Sequence, residues 1–334
     1  KTVEPAGKVG RCLPPHPPGE RDMERFARIL VVLEADEQVT AARKEMLEFA
    51  RANAAKITVA GTCEAPEPSL LAAIFDGRDH REALREQVLE RVDGFAQPLA
   101  QAGLRVETEV IDGDPLEGVC HLARSGRFDL VVKLATGNDP DAPYTFGPMD
   151  RGLLRMCPLP VLIANPHKEE KPRVLVALDV NNPDYAELNH ELLRVAVGQA
   201  ELFKAELHVV HAWRLVDETA FRTGAFTEIS GQKLESFREA ERTRRHRAVQ
   251  ELLERHRSSE VEVVEHIVEG PPPRAIAAVA RNTDADLLVM GATPRRRITS
   301  IMLGDCAVAV LGAVKCSVLL LKSPDLAQSL HAAS

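Results

Sequence analysis

The sequence specifies an α/β protein made of two tandem copies of a doubly wound, five-stranded parallel sheet with strand order 3-2-1-4-5. Three observations carry that expectation. First, the chain repeats itself: "RILVVLEADE" from Arg28 resembles "RVLVALDVNN" from Arg173. In the same way "IDGDPLEGVCHLARSGRFDLVVKLAT" from Ile111 matches "VEGPPPRAIAAVARNTDADLLVMGAT" from Val268 without a gap. Second, short apolar runs alternate with longer amphipathic stretches within each copy. Third, the short runs are apolar on both faces, the pattern of strands covered by helices on both sides.

In the first copy the pattern predicts strands near 28–34, 56–62, 104–110, 129–135 and 160–164, with helices over 40–53, 79–102, 115–125 and 148–155. In the second it predicts strands near 173–179, 206–212, 261–268, 286–291 and 317–321, with helices over 184–202, 231–257, 272–282 and 301–312. The second copy is longer by about a dozen residues, and "LVDETAFRTGAFTEIS" is the expected place of the extra length. Residues 1–22 centre on "LPPHPPGE" and show no hydrophobic period, so a disordered or extended N-terminal segment, set at 1–23, is expected before the domain that "MERFARILVVLEAD" begins. The domains are expected at 24–166 and 171–323, followed by a flexible tail at 324–334.

With 45% hydrophobic and 28% charged residues, the composition is that of a soluble globular chain long enough for two cores. A formal charge of -8 excludes a broad electropositive face for nucleic acid or an anionic membrane. No run reaches the roughly 18 apolar residues of a membrane span. Six cysteines without a CxxC pair read as buried thiols of a reducing cytoplasm. His208 and His211 fall on opposite faces of one strand and cannot chelate one ion together. His190, His246, His256 and His266 show no metal-ligand spacing, so no metal site is expected. In the long charged helix Leu234, Phe237, Ala248, Leu252 and Leu253 supply a face for the sheet, with Glu and Arg paired along the rest.

Ligands of such sheets bind beyond the strand carboxyl ends, between the first and fourth strands. "LDV" at Leu178 and "MGATP" at Met290 should meet there. At this point the residues resemble a family. "LVALD", "LHVVHA", "VEGPPP", "DLLVMGAT" and "LGDCAVAVLGAVKCSVLLLK", with "TFGPMDRGLLRMCPLPVLIAN" in the first copy, are similar to the tandem universal stress proteins of the E type. The likeness covers about residues 24–323. It implies a Rossmann-like, adenine nucleotide alpha-hydrolase-like fold and a cytoplasmic stress-response protein of binding or regulatory type. It also implies pairing of the last strands, Val161 to Ala164 beside Val318 to Leu321, as an intramolecular pseudo-dimer; a further homodimer and protein partners stay open.

In ATP-binding relatives the fourth strand leads into G-x2-G-x9-G-S/T, and an acidic residue ends the first strand. Glycines let backbone N–H groups close on phosphates. The resemblance gives the second copy a candidate site for ATP or another adenine nucleotide at Asp179, Ala212, Gly291, Gly304 and Asp305, Ala212 at the position facing adenine. Pro294 replaces the second glycine and removes a donor, while Asp305 replaces the hydroxyl residue and brings a negative charge. Arg295, Arg296 and Arg297 could contribute phosphate donors or form a solvated loop. In the first copy Glu34, Leu134, Gly137, Gly147 and Pro148 hold the same places, and Leu134 closes the approach.

No nucleophile elbow, P-loop lysine or GxGxxG is present, so no catalytic residue is assigned. Three readings compete: a regulatory protein with a degenerate nucleotide site in the second copy, an ATP binder with slow hydrolysis, and a small-molecule or acyl-lipid carrier in which Phe221 and Phe226 line a pocket.

Overall fold

The computed structural model describes residues 26–34, 39–63, 77–134, 147–165, 172–214, 231–256, 258–292 and 305–332. The first copy runs β1 (Arg28–Leu33), α1 (Val39–Ala52), β2 (Lys56–Cys63), α2 (Gly77–Gln101), β3 (Arg105–Asp112), α3 (Pro115–Arg124), β4 (Leu130–Leu134), α4 (Pro148–Met156) and β5 (Val161–Ala164). The second runs β6 (Arg173–Leu178), a 3-10 turn (Pro183–Tyr185), α5 (Ala186–Phe203), β7 (Glu206–Trp213), α6 (Gly231–Arg255) and β8 (Val263–Glu269). It ends with α7 (Pro272–Asn282), β9 (Leu287–Ala292), α8 (Asp305–Leu311), β10 (Ser317–Lys322) and α9 (Pro324–Ala332).

The strands form one ten-stranded sheet in the order β3-β2-β1-β4-β5-β10-β9-β6-β7-β8. Each half therefore shows the expected 3-2-1-4-5 order. The pairs within each half are parallel, as βαβ crossovers require. The same small device ties the amino ends of the first and fourth strands together in both halves. The Asp129 carboxylate accepts the Arg28 N–H at 3.0 Å, and the Asp286 carboxylate accepts the Arg173 N–H.

The halves meet through β5 and β10, which pair antiparallel with Ile163 opposite Val318 and Val161 opposite Leu320. That junction covers two apolar edges that would otherwise invite association. Ser317 seals one end, its hydroxyl accepting the Asn165 N–H at 3.0 Å. At the other end the Lys322 ammonium, 5% exposed, donates to the Leu159 carbonyl at 3.2 Å. Burial pushes the Lys322 pKa below its ordinary value.

Both faces of the sheet carry a continuous core. On one, Val31, Val59 and Phe95 join Val176, Leu192 and Val209; Phe49 of α1 stacks on Phe203 of α5 with ring centroids 6.0 Å apart. On the other, Leu153 and Ile163 join Leu288, Val310 and Leu320. Four cysteines, Cys63, Cys120, Cys157 and Cys316, lie in this interior as free thiols.

Three expectations need correction. The tail is a helix: Pro324 pre-sets the first turn of α9, and Leu326 and Leu330, four residues apart, are buried. Arg124 of the first copy donates to the Leu330 carbonyl at 3.1 Å, so α9 straps the second copy onto the first. Leu330→Ala should cost about 2–3 kcal/mol in chemical denaturation, where a flexible tail would cost nothing.

The extra length of the second copy is also spread along it. Register pairs Arg28 with Lys56, 28 residues on, but Arg173 with Glu206, 33 residues on, so part of it lies around α5. Finally, Phe237 of α6 is 51% exposed. The inward stripe instead includes Glu241 and Arg245, and the Arg245 guanidinium lies 4.6 Å over the Trp213 ring. An arginine stem can cover apolar surface while its head stacks on an indole, a geometry that hydrophobic counting cannot reveal.

Candidate functional site

Where the strand order reverses in the second copy, the carboxyl ends of β6 and β9 diverge and leave a crevice of about 170 Å³. Asp179, Ala212 and Gly291 line it together, joined by Tyr185 and Leu192 on one side and Ile276, Met290, Cys306 and Ala307 on the other. Three of the five residues expected from the sequence thus border one cavity. Asp305 opens α8, and Gly304 with the loop 293–304, including Pro294 and the three arginines, lies outside the described residues. Phe221, Phe226, Gly137 and the segment before Phe26 do so as well.

The end of β6 is held rigidly. Asn189 of α5, 3% exposed, clasps the Asp179 backbone from both directions: its Oδ1 accepts the Asp179 N–H at 3.1 Å and its Nδ2 donates to the Asp179 carbonyl at 2.9 Å. The Asp179 carboxylate accepts the Asn181 N–H at 3.2 Å. His211, fully buried, completes the support. Its Nδ1 lies 3.0 Å from the Leu178 carbonyl and its Nε2 3.0 Å from Asn181 Nδ2. A carbonyl only accepts, so Nδ1 carries the proton and Nε2 receives the amide N–H. Burial pushes the His211 pKa down and keeps the ring neutral. In the sequence His211 reads as a core or strand-end histidine, and nothing there signals this support.

Gly291 has a different reason from the one its motif suggests. A Cβ there would come within 2.5 Å of Leu188 Cδ2 and 3.2 Å of Leu192 Cδ1. The missing side chain therefore faces α5, and glycine lets that helix pack directly on the strand while its backbone borders the crevice. Cys306 is half-buried, and burial followed by the Asp179 charge pushes its pKa up. Both effects favour the neutral thiol over the thiolate.

The first copy has filled the corresponding place with an ion pair. Lys133 and Asp150 stand where Met290 and Ala307 stand in the second, and they are 0% and 1% exposed. Lys133 Nζ donates to the Leu134 carbonyl at 2.7 Å and to Glu34 Oε2 at 2.9 Å, with Asp150 Oδ1 at 3.9 Å. The other Asp150 oxygen accepts the Gly147 N–H at 2.7 Å and caps α4. The acidic residue at the end of β1 thus faces an internal ammonium. Leu134, 1% exposed, belongs to the core beside it.

A crevice at the second switch point, the matching place in the first copy filled by an ion pair, and a tandem sheet joined at its last strands define a two-domain α/β protein of doubly wound halves. The chain belongs to the universal stress protein family, whose model matches residues 25–165 and 172–322. Among curated relatives it is 25% identical over 316 residues to a universal stress protein E homolog of Haemophilus influenzae, covering 89% of this chain and 98% of that one. It is 27% identical over 263 residues to universal stress protein E of Escherichia coli, covering 74% and 78%. A solved structure from Pseudomonas aeruginosa shares the fold with a TM-score of 0.67 and 23% identity, over 93% of this chain and 98% of that chain. A universal stress protein from Archaeoglobus fulgidus does so with a TM-score of 0.58 and 21% identity, over 88% and 98%.

Proposed function

We propose that this chain is a cytoplasmic, non-enzymatic regulatory protein of the stress response that binds an adenine nucleoside or mononucleotide in the second copy, with the first copy as its structural partner. The observation that carries this reading is the crevice bordered by Asp179, Ala212 and Gly291. One wall is apolar and suits the face of a heteroaromatic ring. A carboxylate at the strand end can accept an exocyclic amine or a ribose hydroxyl, and strand-end backbone groups provide further polar contacts.

Size and charge favour the smaller ligands. The cavity is below the ~300–1,000 Å³ of common ligand pockets, so it can enclose a base while the remainder extends outward. By sequence, Pro294 takes the place of a glycine donor and Asp305 that of a hydroxyl residue in the motif of ATP-binding relatives, changes that disfavour a triphosphate. An acyl chain finds too little volume here. Among the described residues of the lining, Cys306, whose pKa is pushed up, and the carboxylate of Asp179 offer no activated nucleophile.

Calorimetric titration with adenosine, AMP and ATP tests the proposal. Adenosine and AMP should bind with one site per chain, ATP should bind no more tightly than AMP, and Asp179→Ala should weaken all of them by at least about tenfold. Binding of ATP alone, with turnover, would establish the ATP-hydrolysing reading instead. A co-purifying acyl lipid released on denaturation would establish the carrier reading.

A further inference from the structure

The second copy also brings together histidines that are far apart in sequence. Val210 lies opposite His266 across β7 and β8, and His208, two residues earlier, shares that face. His208 Nδ1 and His266 Nε2 are 3.0 Å apart, with ring centroids at 5.3 Å. On the far side of the His208 ring, Nε2 lies 3.4 Å from Glu206 Oε2. The pair sits on the outermost strands of the sheet, with His208 6% exposed and His266 half-buried.

We propose that His208 and His266 form a two-imidazole site for a divalent cation of tetragonal or octahedral preference, nickel(II) or copper(II), oriented by Glu206. The Glu206 carboxylate makes no hydrogen bond to Nε2, but its charge 3.4 Å away favours the His208 proton on that nitrogen, which leaves Nδ1 as a lone pair toward His266. His266 then needs only to carry its proton on Nδ1 to present Nε2 as the second ligand. No net proton is taken up or released in that change of tautomer.

The separation selects the geometry. With nitrogen–metal distances of ~2.0–2.1 Å, ligands at a right angle are ~2.9 Å apart and ligands at the tetrahedral angle ~3.3 Å. The observed 3.0 Å fits the right angle. No third acidic, histidine or cysteine ligand joins the pair among the described residues, so the remaining positions fall to water. The first copy has Thr58 and Glu109 at the matching places and lacks the imidazoles.

A second histidine pair sharpens the choice. His190 Nδ1 and His256 Nε2 are 2.8 Å apart between α5 and the end of α6. There burial, His190 and the positive charges of Arg194 and Arg255 together push the His256 pKa down, and those charges oppose a cation. At His266 the charge acting from outside the pair is the carboxylate of Glu206, which favours one.

The test uses the full, untagged chain stripped of metal with chelator, titrated with Ni2+ and Zn2+ by calorimetry. Copper(II) paramagnetic resonance counts the nitrogen ligands. One equivalent of Ni2+ should bind more tightly than Zn2+, and copper should show two nitrogens. His266→Ala should abolish binding, Glu206→Gln should weaken it by about tenfold, and His256→Ala should leave it unchanged. His266 is half-buried, so its variants should keep the parent circular dichroism; His266→Gln repeats the test with a bulkier side chain. A parent that binds no Ni2+, a preference for Zn2+, or a site lost with His256→Ala and kept with His266→Ala would overturn the proposal.

Discussion

Replacing Lys133 by methionine, the residue at the matching place in the second copy, is expected to destabilise the protein by about 3–5 kcal/mol. The substitution keeps the length of the side chain and removes a buried ammonium, so a tally of hydrophobic residues would count it as a gain. The loss comes from the partners. Asp150, 1% exposed, loses the ammonium beside it while its bond to the Gly147 N–H remains, and Glu34 and the Leu134 carbonyl lose their donor. A buried carboxylate that loses a neighbouring cation either stays charged in a poorer solvent or takes up a proton.

The double variant Lys133→Met with Asp150→Ala separates the two contributions. It reproduces the Met290 and Ala307 pair, removes both charges and forfeits the cap on α4, which is worth about 1 kcal/mol. Its stability should therefore recover to within about 1–2 kcal/mol of the parent, a strongly non-additive result. Urea denaturation of the parent, both single variants and the double variant measures the coupling. Additive losses would mean that the ion pair is incidental to the packing of the first copy.

The second large effect is expected from Gly291→Leu, which gives the second copy the residue that the first has at Leu134. The new side chain would drive into Leu188, whose Cδ2 already stands 2.5 Å from the Cβ position, and would displace Leu192 from the crevice wall. Overpacking of this kind costs about 1–3 kcal/mol, and adenosine affinity should fall by more than tenfold. Adding Leu188→Ala makes room and should restore most of the stability. Recovery of folding without recovery of affinity would show that the crevice depends on the close approach of α5. Recovery of both would mean that Gly291 serves packing alone.

Most of the elements are legible because their periods are strong. The apolar runs at Arg28–Leu33 and Leu287–Ala292 can only be covered strands, and the repeat orders them. The missed helix at Pro324–Ala332 did leave a signal. Ser323, Pro324 and Asp325 make a good helix start, and Leu326 and Leu330 a one-stripe face, but two leucines give too short a pattern to count. Phe237 misled for the opposite reason. Its hydrophobicity suggested the buried face, whereas the helix rotates so that Arg245 can stack on Trp213.

The candidate site divides in the same way. Asp179, Ala212 and Gly291 follow from a motif local to three strand ends, and the topology alone brings those ends together. His211, Asn189 and Lys133 carry no motif. A lysine within "FDLVVKLAT" is visible as an oddity, yet nothing in the sequence says that its amine reaches Glu34, 99 residues earlier at the end of β1.

What the sequence determined by itself is the doubly wound order of each copy and the location of both switch points, because backbone periodicity decides which face each side chain takes. Tertiary structure alone decided that the first crevice closes on its own ion pair and that His208 meets His266. Such contacts depend on how distant segments cross, within a few tenths of an ångström, and a side-chain period contains no information about the partner on the other side.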